Sequence, residues 1–231
     1  MEEDVHRYHG EDIEVSFDAN RCIHVQECVH GLPDVFDPEE RPWIDLEAVD
    51  PDGVADVVRR CPTGALHYER LDEAAGEAPP EKNTVTVAAN GPLYLYGDIE
   101  LQTPSGETIL EDTRVALCRC GHSENKPLCD QSHERVFEAD GVPTDHAIPG
   151  VSIDATDGSE DSEADSDQDS SSSVTVTLTV DGPFQIDGPF RIREDDTERH
   201  YEGAALCRCG ASAEKPFCDG SHSEIGFSTN E

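Results

Sequence analysis

The chain has 231 residues and a formal net charge of −36, since 52 acidic residues outnumber 16 Lys and Arg. This charge excludes binding to duplex DNA or to an anionic membrane through basic residues, and no apolar stretch is long enough to predict a membrane span. With 35% hydrophobic and 6% aromatic residues, one large core is not expected, and the nine cysteines predict small units stabilised partly by metal.

Acidic residues run through the whole chain, including the segments that are predicted to fold. Their mutual repulsion destabilises a compact state, and molar salt relieves it by shortening the screening length to about 3 Å. The first residues lack the basic and apolar regions of a secretory signal, and cysteines without an export signal favour metal over disulfides. We therefore expect a cytoplasmic protein in a high-salt cytosol, the alternative being an ordinary acidic protein with disordered acidic segments.

The first block, residues 10–71, contains three cysteines, which are Cys22, Cys28 and Cys61. Alternating residues 13–17 predict a strand, and residues 52–60 fit a short helix. Pro62 directly follows the last cysteine, as in bacterial ferredoxins. The block resembles a divergent single-cluster ferredoxin, which implies a ferredoxin-like α+β domain.

This block departs from the ferredoxin pattern at Val25, where a bacterial ferredoxin has the middle cysteine of its closely spaced group. Three thiolates suit a [3Fe–4S] cluster, whose missing corner iron needs no fourth ligand. A [4Fe–4S] cluster with His24 as a fourth ligand is the alternative. Two alternatives need no metal. His24 can be an ordinary surface histidine, and the three cysteines can be buried thiols that hold no cluster.

Residues 72–82, rich in Ala, Glu and Pro, predict a linker between this block and the rest of the chain. A second predicted linker covers residues 139–173. Its segment 154–173 holds eight acidic residues and seven serines, so burial cannot offset the entropy of ordering it. We expect this second linker to be disordered.

Two blocks repeat each other on either side of the acidic linker, at residues 83–138 and 174–228. Alternating Val and Thr recur at residues 84–87 and 175–178, and a Gly-Pro turn follows each run. This pattern predicts short β-strands. Each block is small enough to need a metal or another staple.

The repeated blocks share a motif at residues 118–133 and 207–222, with eleven of its sixteen positions identical. Cys-x-Cys brings two thiolates to one iron, and a Cys and a His four apart at a helix start share a face and can bind a second iron. Asp130 and Asp219 precede that turn and can cap its free N–H groups. The expected ligands are Cys118, Cys120, Cys129 and His133 in the first motif, and Cys207, Cys209, Cys218 and His222 in the second.

Both motifs resemble the CDGSH iron–sulfur family, also called NEET-type, through the pattern Cys-x-Cys-x2-Ser-x3-Pro-x-Cys-Asp-x-Ser-His. The resemblance implies a [2Fe–2S] cluster with three Cys and one His ligand in each block, and a small β-rich domain around each cluster. We expect an α+β protein in which the two CDGSH domains of one monomer pair as an internal pseudo-dimer. A structural zinc site is the alternative, because Cys₃His also binds zinc, although Cys-x-Cys is tighter than the usual zinc spacing.

Four further motif residues are expected near the clusters, and these are Ser123, Lys126, Ser212 and Lys215. The two lysines are matched between the motifs in a chain with only three, so their charge can offset that of a cluster or cap a turn. Gln131 stands where the family has Gly, and it is strained if the position requires a positive φ. We then expect the first cluster to be the less stable one. His122, replaced by Ala in the repeat, is expected to be exposed and without a role.

The chain shows no nucleophile–base pair and no phosphate-binding glycine loop, so we expect no enzymatic activity. Up to three clusters predict one-electron transfer or redox relay with a redox partner protein. Imidazole in place of a thiolate raises the potential, and acid competes with iron for its nitrogen, so the clusters should become labile at low pH. The alternatives are a redox or pH sensor or a cluster carrier serving apo-acceptors, and a zinc-stabilised interaction module.

Overall fold

The computed structural model describes residues 5–140, 173–194 and 197–229. The chain divides after Ala78 into two compact units. The described part is α+β, as expected, with β-sheets and four short helices. The acidic linker predicted at 139–173 lies outside the described residues except at its ends.

None of the helices in the described ranges has the length and apolar character needed to cross a membrane.

The first unit is a three-stranded antiparallel sheet with two helices. In chain order its elements are β1 Val5–His9, β2 Ile13–Asp18, α1 Glu27–Gly31, α2 Pro51–Val58 and β3 Leu66–Arg70. The central strand is β2. Asp50 starts α2 by accepting the N–H of Asp52, with Pro51 at the first helical position. The predicted strand and helix are confirmed, and the helix ends slightly earlier than expected.

The core of this unit lies between the sheet and α2. Ile13 and Val15 alternate inward from β2, and they pack with Val54 and Val58 of α2. Phe17 at the end of β2 contacts Trp43 edge-on, with ring centroids 4.8 Å apart. Because β2 and α2 pack in this core, it positions the segments that follow them, which carry Cys22 and Cys61.

The second unit contains both repeated blocks, and each block supplies three strands and one four-residue helix. The first block forms β4 Thr84–Val87, β5 Leu93–Gln102, β6 Thr108–Leu117 and α3 His133–Val136. The second forms β7 Val174–Leu178, β8 Phe184–Glu194, β9 Thr197–Leu206 and α4 Ser221–Glu224. The short strands predicted from the Val and Thr alternation are confirmed.

The strands of the two blocks exchange partners within one six-stranded sheet. Strand β4 pairs antiparallel with the start of β5 and parallel with the end of β8. Strand β7 pairs antiparallel with the start of β8 and parallel with the end of β5. Each short strand therefore lies between the long strands of both blocks.

One hydrophobic core serves both blocks, because its buried side chains come from all six strands. Val85 of β4 and Val176 of β7 occupy matching positions in it, as do Leu93 of β5 and Phe184 of β8. Blocks too small for substantial cores of their own thus bury their apolar faces together.

Candidate metal centres

The two Cys-x-Cys segments directly follow β6 and β9, and each brings two buried sulfurs together. The Sγ atoms of Cys118 and Cys120 lie 3.5 Å apart, and those of Cys207 and Cys209 lie 3.8 Å apart. With metal–sulfur bonds of about 2.3 Å, tetrahedral ligation separates two sulfurs by about 3.8 Å. Each pair therefore has the spacing of two ligands to one metal ion.

The remaining cysteine and histidine of each motif form a second donor pair. Cys129 Sγ lies 3.3 Å from His133 Nδ1, and Cys218 Sγ lies at the same distance from His222 Nδ1. The structure differs from the expected helix face in one detail: the cysteine lies in the turn before the helix, and only the histidine is helical. In the described ranges, no three His, Cys, Asp or Glu side chains converge on one metal position.

An aspartate holds each Cys–His turn in place. Asp130 accepts the backbone N–H of Ser132 at 2.9 Å and that of Glu124 at 2.8 Å. Asp219 repeats both bonds in the second motif, at 3.0 and 2.7 Å. Each aspartate therefore binds an N–H of the turn that follows it, while the N-cap residues Ser132 and Gly220 make no side-chain cap bond themselves. Each aspartate also ties its turn to the loop that follows Cys-x-Cys.

The motif serines organise the same loops. Ser123 Oγ donates to the Leu128 carbonyl at 2.6 Å and accepts the Asn125 N–H at 3.0 Å. Ser212 makes the equivalent bonds at 2.7 and 3.0 Å. Both serines are buried, so their contacts shape the loop between the two donor pairs.

The two motif lysines are both half-buried. Lys126 belongs to the first motif, and Lys215 donates to the Ser212 carbonyl in the second. The Lys215 ammonium also lies 5.9 Å from the ring centre of Phe137, which directly follows α3 in the first repeated block. This contact joins the two repeats beside their metal-binding loops. His122 is exposed, as expected.

The electrostatics of the first donor set favour a bound cation. The hydrogen bond with Cys120 lowers the pKa of Cys118 to about 6, and it raises the pKa of Cys120. Burial raises the pKa of Cys129 to about 12. Burial also lowers the pKa of His133, which favours the neutral imidazole that binds metals. A metal ion would supply the positive charge that keeps such buried thiols ionised.

Gln131 adopts the left-handed conformation, with φ of 70°, and Gly220 at the matching position has φ of 91°. The sequence predicted strain at Gln131 if this position requires a positive φ, and the structure shows that it does. A glycine has no Cβ to crowd the backbone there, so the second motif avoids the strain.

The Cys-x-Cys segments of the two repeats contact each other through their backbones. Cys120 and Cys209 form an antiparallel β-bridge. Gly121 and Gly210 each have φ of +81°, and a Cβ on either would lie within 2.6 Å of a carbonyl oxygen of the opposite segment. Only glycine at these positions permits so close an approach.

Arg119, between the cysteines of the first motif, is only 1% exposed. Its guanidinium donates to the carbonyls of Gly91 and Ala88 at 2.7 and 2.5 Å and lies 5.0 Å from the ring centre of Phe137. Burial lowers its pKa to about 10, while its electrostatic interaction with Cys207 opposes this shift. Sequence reasoning missed this residue.

Arg208 occupies the matching position in the second motif and is 5% exposed. It lies over Phe184, 5.2 Å from the ring centre, and donates to the Thr179 carbonyl at 3.4 Å. Burial lowers its pKa, and its electrostatic interaction with Cys118 opposes the shift. The sequence signal for both arginines was their identical position in the two motifs of a chain poor in basic residues.

The three cysteines of the first unit line one cavity. Cys22 follows β2 and a 3₁₀ turn, Cys28 lies in α1, and Cys61 lies beyond the end of α2. The cavity has apolar walls, which include Phe17, Ile23, Trp43 and Leu66. Burial raises the pKa of Cys28 to about 11, and the neighbouring Cys61 and Cys22 act in the same direction. The structure thus places the three predicted thiols around one cavity, although they do not converge on a single metal position.

His24 and Val25 line the same cavity, between the first two cysteines. The backbone turns sharply here, with φ of 51° at His24 and 66° at Gln26. His24 Nδ1 lies 3.9 Å from Cys22 Sγ. A non-glycine residue in this region of φ is uncommon and is often part of a functional site.

The described donors fit the groups that the sequence predicted. Thiolates and imidazoles are the ligands of iron–sulfur centres and also of zinc. Each CDGSH-type motif offers two donor pairs, and the first unit offers three thiols and one imidazole at an apolar cavity.

Comparison with known families agrees with this assignment. Residues 8–71 match the model of a divergent 4Fe-4S mono-cluster family. Residues 90–134 and 181–223 match the model described as iron-binding zinc finger, CDGSH type. No solved structure matches the chain.

Two curated relatives match a single stretch of the chain. Both are the uncharacterized protein YjdI, one from Escherichia coli strain K12 and one from Escherichia coli O157:H7. Each is 41% identical over 61 residues, which are 26% of this chain and 80% of the relative.

Proposed function

Because two stretches of the chain match the iron-binding CDGSH-type family and a third matches a divergent 4Fe-4S mono-cluster family, we propose that it transfers single electrons through its iron–sulfur clusters. Iron–sulfur binding follows from the families, and electron transfer is our proposal for its use. A cluster supplies a one-electron couple whose potential depends on its charge, hydrogen bonds and exposure. The observation that carries the proposal is the repeated pairing of donor atoms in the two motifs.

We assign one [2Fe–2S] cluster to each motif, held by three Cys and one His. The sulfur–sulfur distances of 3.5 and 3.8 Å, together with the sulfur–nitrogen distances of 3.3 Å, support two donors per iron. Structural zinc needs four donors around one ion. Two separate pairs therefore favour a two-iron centre over zinc.

The histidine side of each centre is suited to exchange electrons with a partner protein. His133 and His222 are half-buried, whereas the Cys-x-Cys sulfurs are buried. Val136 and Ile225, each three residues beyond its histidine, are 55% exposed. An exposed apolar side chain beside a partly accessible ligand supports docking of a redox partner at this side.

The two CDGSH-type blocks act as one internal pseudo-dimer in this proposal. The exchanged strands β4 and β7, the shared core and the Cys120–Cys209 bridge support it. With both motifs at the ends of strands of one sheet, an electron can be stored in either repeat of a single monomer.

For the first unit we favour the four-iron alternative, with Cys22, Cys28, Cys61 and His24 as ligands. The match to a 4Fe-4S mono-cluster family supports four irons. The position of the His24 ring beside Cys22, at the cavity that the three thiols line, supports His24 as the fourth ligand. A [3Fe–4S] cluster, with His24 unbound, is the competing outcome.

A cluster carrier is the second candidate function. The observation in its favour is the unequal burial within the first donor set, where His133 is half-buried and the three cysteines are buried. Release would begin at His133. Transfer of clusters to an apo-ferredoxin would support the carrier, and repeated reduction and oxidation without cluster loss would support electron transfer.

The first experiment counts iron and acid-labile sulfide in anaerobically purified protein and follows a reductive titration by visible absorption and EPR. We expect two [2Fe–2S] centres and one cubane-type centre that reduce reversibly. His133→Cys should keep the first cluster but lower its potential, because a thiolate adds negative charge. His122→Cys, an exposed position in the same motif, should leave the potential unchanged. A colourless protein that contains zinc would overturn the proposal.

The second experiment tests His24 as a ligand. His24→Asn removes the imidazole and keeps a residue that tolerates positive φ, so we expect a three-iron EPR signal in the oxidised protein. Gln26→Asn, at the other left-handed position of the loop, should retain four irons. Val25→Cys added to His24→Asn should restore the four-iron cluster. A four-iron cluster in the His24→Asn variant would exclude this ligand.

A further inference from the structure

We propose that Thr63 is a positioning residue for the cluster of the first unit, and that its hydroxyl donates a hydrogen bond to the Cys61 sulfur and thereby raises the reduction potential. The inference deepens the proposed function and rests on cluster binding by Cys61. It assigns a role to a buried side chain that is not itself a ligand.

The Thr63 hydroxyl lies beside the Cys61 sulfur at the cavity that the three cysteines line. Its Oγ1 is 3.5 Å from Cys61 Sγ, which is within hydrogen-bonding distance for a sulfur atom. Thr63 is only 3% exposed, so its hydroxyl must find its partners within the protein. The sulfur is one of those partners.

A second contact decides the direction of this hydrogen bond. The backbone N–H of Ala65 donates to Thr63 Oγ1 at 3.2 Å. This bond occupies a lone pair of the oxygen and leaves the hydroxyl hydrogen available. A Cys61 thiolate that binds iron has no proton to donate. The hydroxyl is therefore the donor, and the sulfur is the acceptor, once a cluster is bound.

The backbone around Thr63 is anchored to the segment that precedes Cys22. Arg21 Nη2 donates to the Thr63 carbonyl at 2.8 Å, and the Asp18 N–H donates to the Ala65 carbonyl at the same distance. The Arg21 side chain is buried as well. The turn that carries the hydroxyl is thus held at two points, which keeps the hydroxyl close to the sulfur.

The sign of the effect follows from charge. Reduction adds one negative charge to the cluster and its sulfur ligands, and a hydrogen bond to a charged acceptor is stronger than one to a neutral acceptor. The hydroxyl therefore stabilises the reduced state more than the oxidised state, which raises the potential. Because Cys61 is a ligand in both the three-iron and the four-iron alternatives, the same sign holds for either cluster.

The test uses Thr63→Val in the full cluster-loaded chain, which replaces the hydroxyl by a methyl group. We expect reduction of the first-unit cluster to become about tenfold less favourable, a shift of about 59 mV for one electron. EPR-monitored titration measures the midpoint potentials, since cubane-type and [2Fe–2S] clusters give different signals. The two [2Fe–2S] clusters of the same molecule are the internal control and should keep their potentials.

Two further variants separate the hydrogen bond from packing. Thr63→Ser keeps the hydroxyl and loses the methyl group, so its potential should stay near that of wild type, which a role in packing alone would not explain. Thr63→Ala loses both groups and should lower the potential as Thr63→Val does. Resonance Raman spectra should show a deuterium shift of the iron–sulfur stretching bands that is larger in wild type and Thr63→Ser than in Thr63→Val.

The outcomes distinguish this inference from the proposed function. An unchanged potential in Thr63→Val and Thr63→Ala, or an equal loss in Thr63→Ser and Thr63→Val, would overturn the inference alone. Thermal unfolding reports whether each variant is folded, and if Thr63→Val is not, Thr63→Ala and Thr63→Ser still decide it. A colourless wild-type chain would overturn the proposed function, and the inference with it.

Discussion

At the scale of single residues, the ligands are defined by short spacings and their neighbours by burial. The donors of a CDGSH-type motif lie within sixteen residues, and a loop of that length closes through the Asp130 and Ser123 hydrogen bonds. Arg119 has no such local signature, because its contacts with Gly91 and Ala88 span about thirty residues. For this reason the sequence identified the Cys and His ligands but did not predict that Arg119 is buried beside them.

The difference between Gln131 and Gly220 gives a residue-scale prediction. Gln131→Gly should stabilise the first motif by about 1 kcal/mol, because it removes the left-handed strain at φ of 70°. Its cluster should then be lost more slowly under a chelator. Gly220→Gln should destabilise the second motif by a similar amount. Cluster-loss rates and thermal unfolding measure both effects, and equal loss rates in wild type and Gln131→Gly would contradict the prediction.

At the scale of elements, the two Cys-x-Cys segments bring the backbones of the repeats into direct contact beside the metal ligands. A Cβ at Gly121 would lie 2.6 Å from the Cys209 carbonyl oxygen, and one at Gly210 would lie 2.5 Å from that of Cys120. Real Cβ atoms do not approach oxygen so closely, so the segments would have to separate. Both glycines were visible in the repeated motif, but their role depends on a partner segment far away in the chain.

Gly121→Ala tests this contact against a matched control. Gly106 has almost the same φ, +82°, but a Cβ there would meet only Gln102 Oε1, at an ordinary contact distance of 4.0 Å. Gly106→Ala should cost about 1 kcal/mol from backbone strain alone. Gly121→Ala should cost about 3 kcal/mol, because overpacking adds to the strain, and it should weaken cluster retention in both motifs. Denaturant unfolding provides the comparison. Equal losses in the two variants would show that the segments do not depend on this contact.

At the scale of the whole molecule, the net charge of −36 dominates the electrostatics. The exposed ion pairs, such as Arg7–Glu14 and Arg193–Glu198, are worth about 0–1 kcal/mol each and are weakened by salt. With only 16 basic residues in the chain, such pairs neutralise a minority of the acidic groups. Repulsion among the remaining carboxylates should therefore decide how stability responds to ionic strength.

We expect the unfolding temperature to rise between 0.1 and 1 M salt, because the screening length falls from about 10 to about 3 Å. Sodium chloride and potassium chloride should give the same increase at equal ionic strength, since screening does not depend on the identity of the cation. Calorimetry of the cluster-loaded protein would measure it. A constant or falling unfolding temperature would argue against repulsion as the dominant effect, and a difference between the two salts would indicate specific cation binding instead.

The sequence by itself determined the acidic character, the two-fold repeat, three short strands with one helix, and the donor types of each motif. It did not predict the four long strands β5, β6, β8 and β9. The properties that it did determine depend on composition, on strand periodicity and on spacings within a few turns of chain. Only the tertiary structure decided that β4 pairs with β8 and β5 with β7. It also decided that Cys120 meets Cys209 and that Arg119 and Arg208 are buried. The strand pairings and the Cys120–Cys209 contact join residues 75 or more positions apart, and they arise because neither small block buries a sufficient core alone.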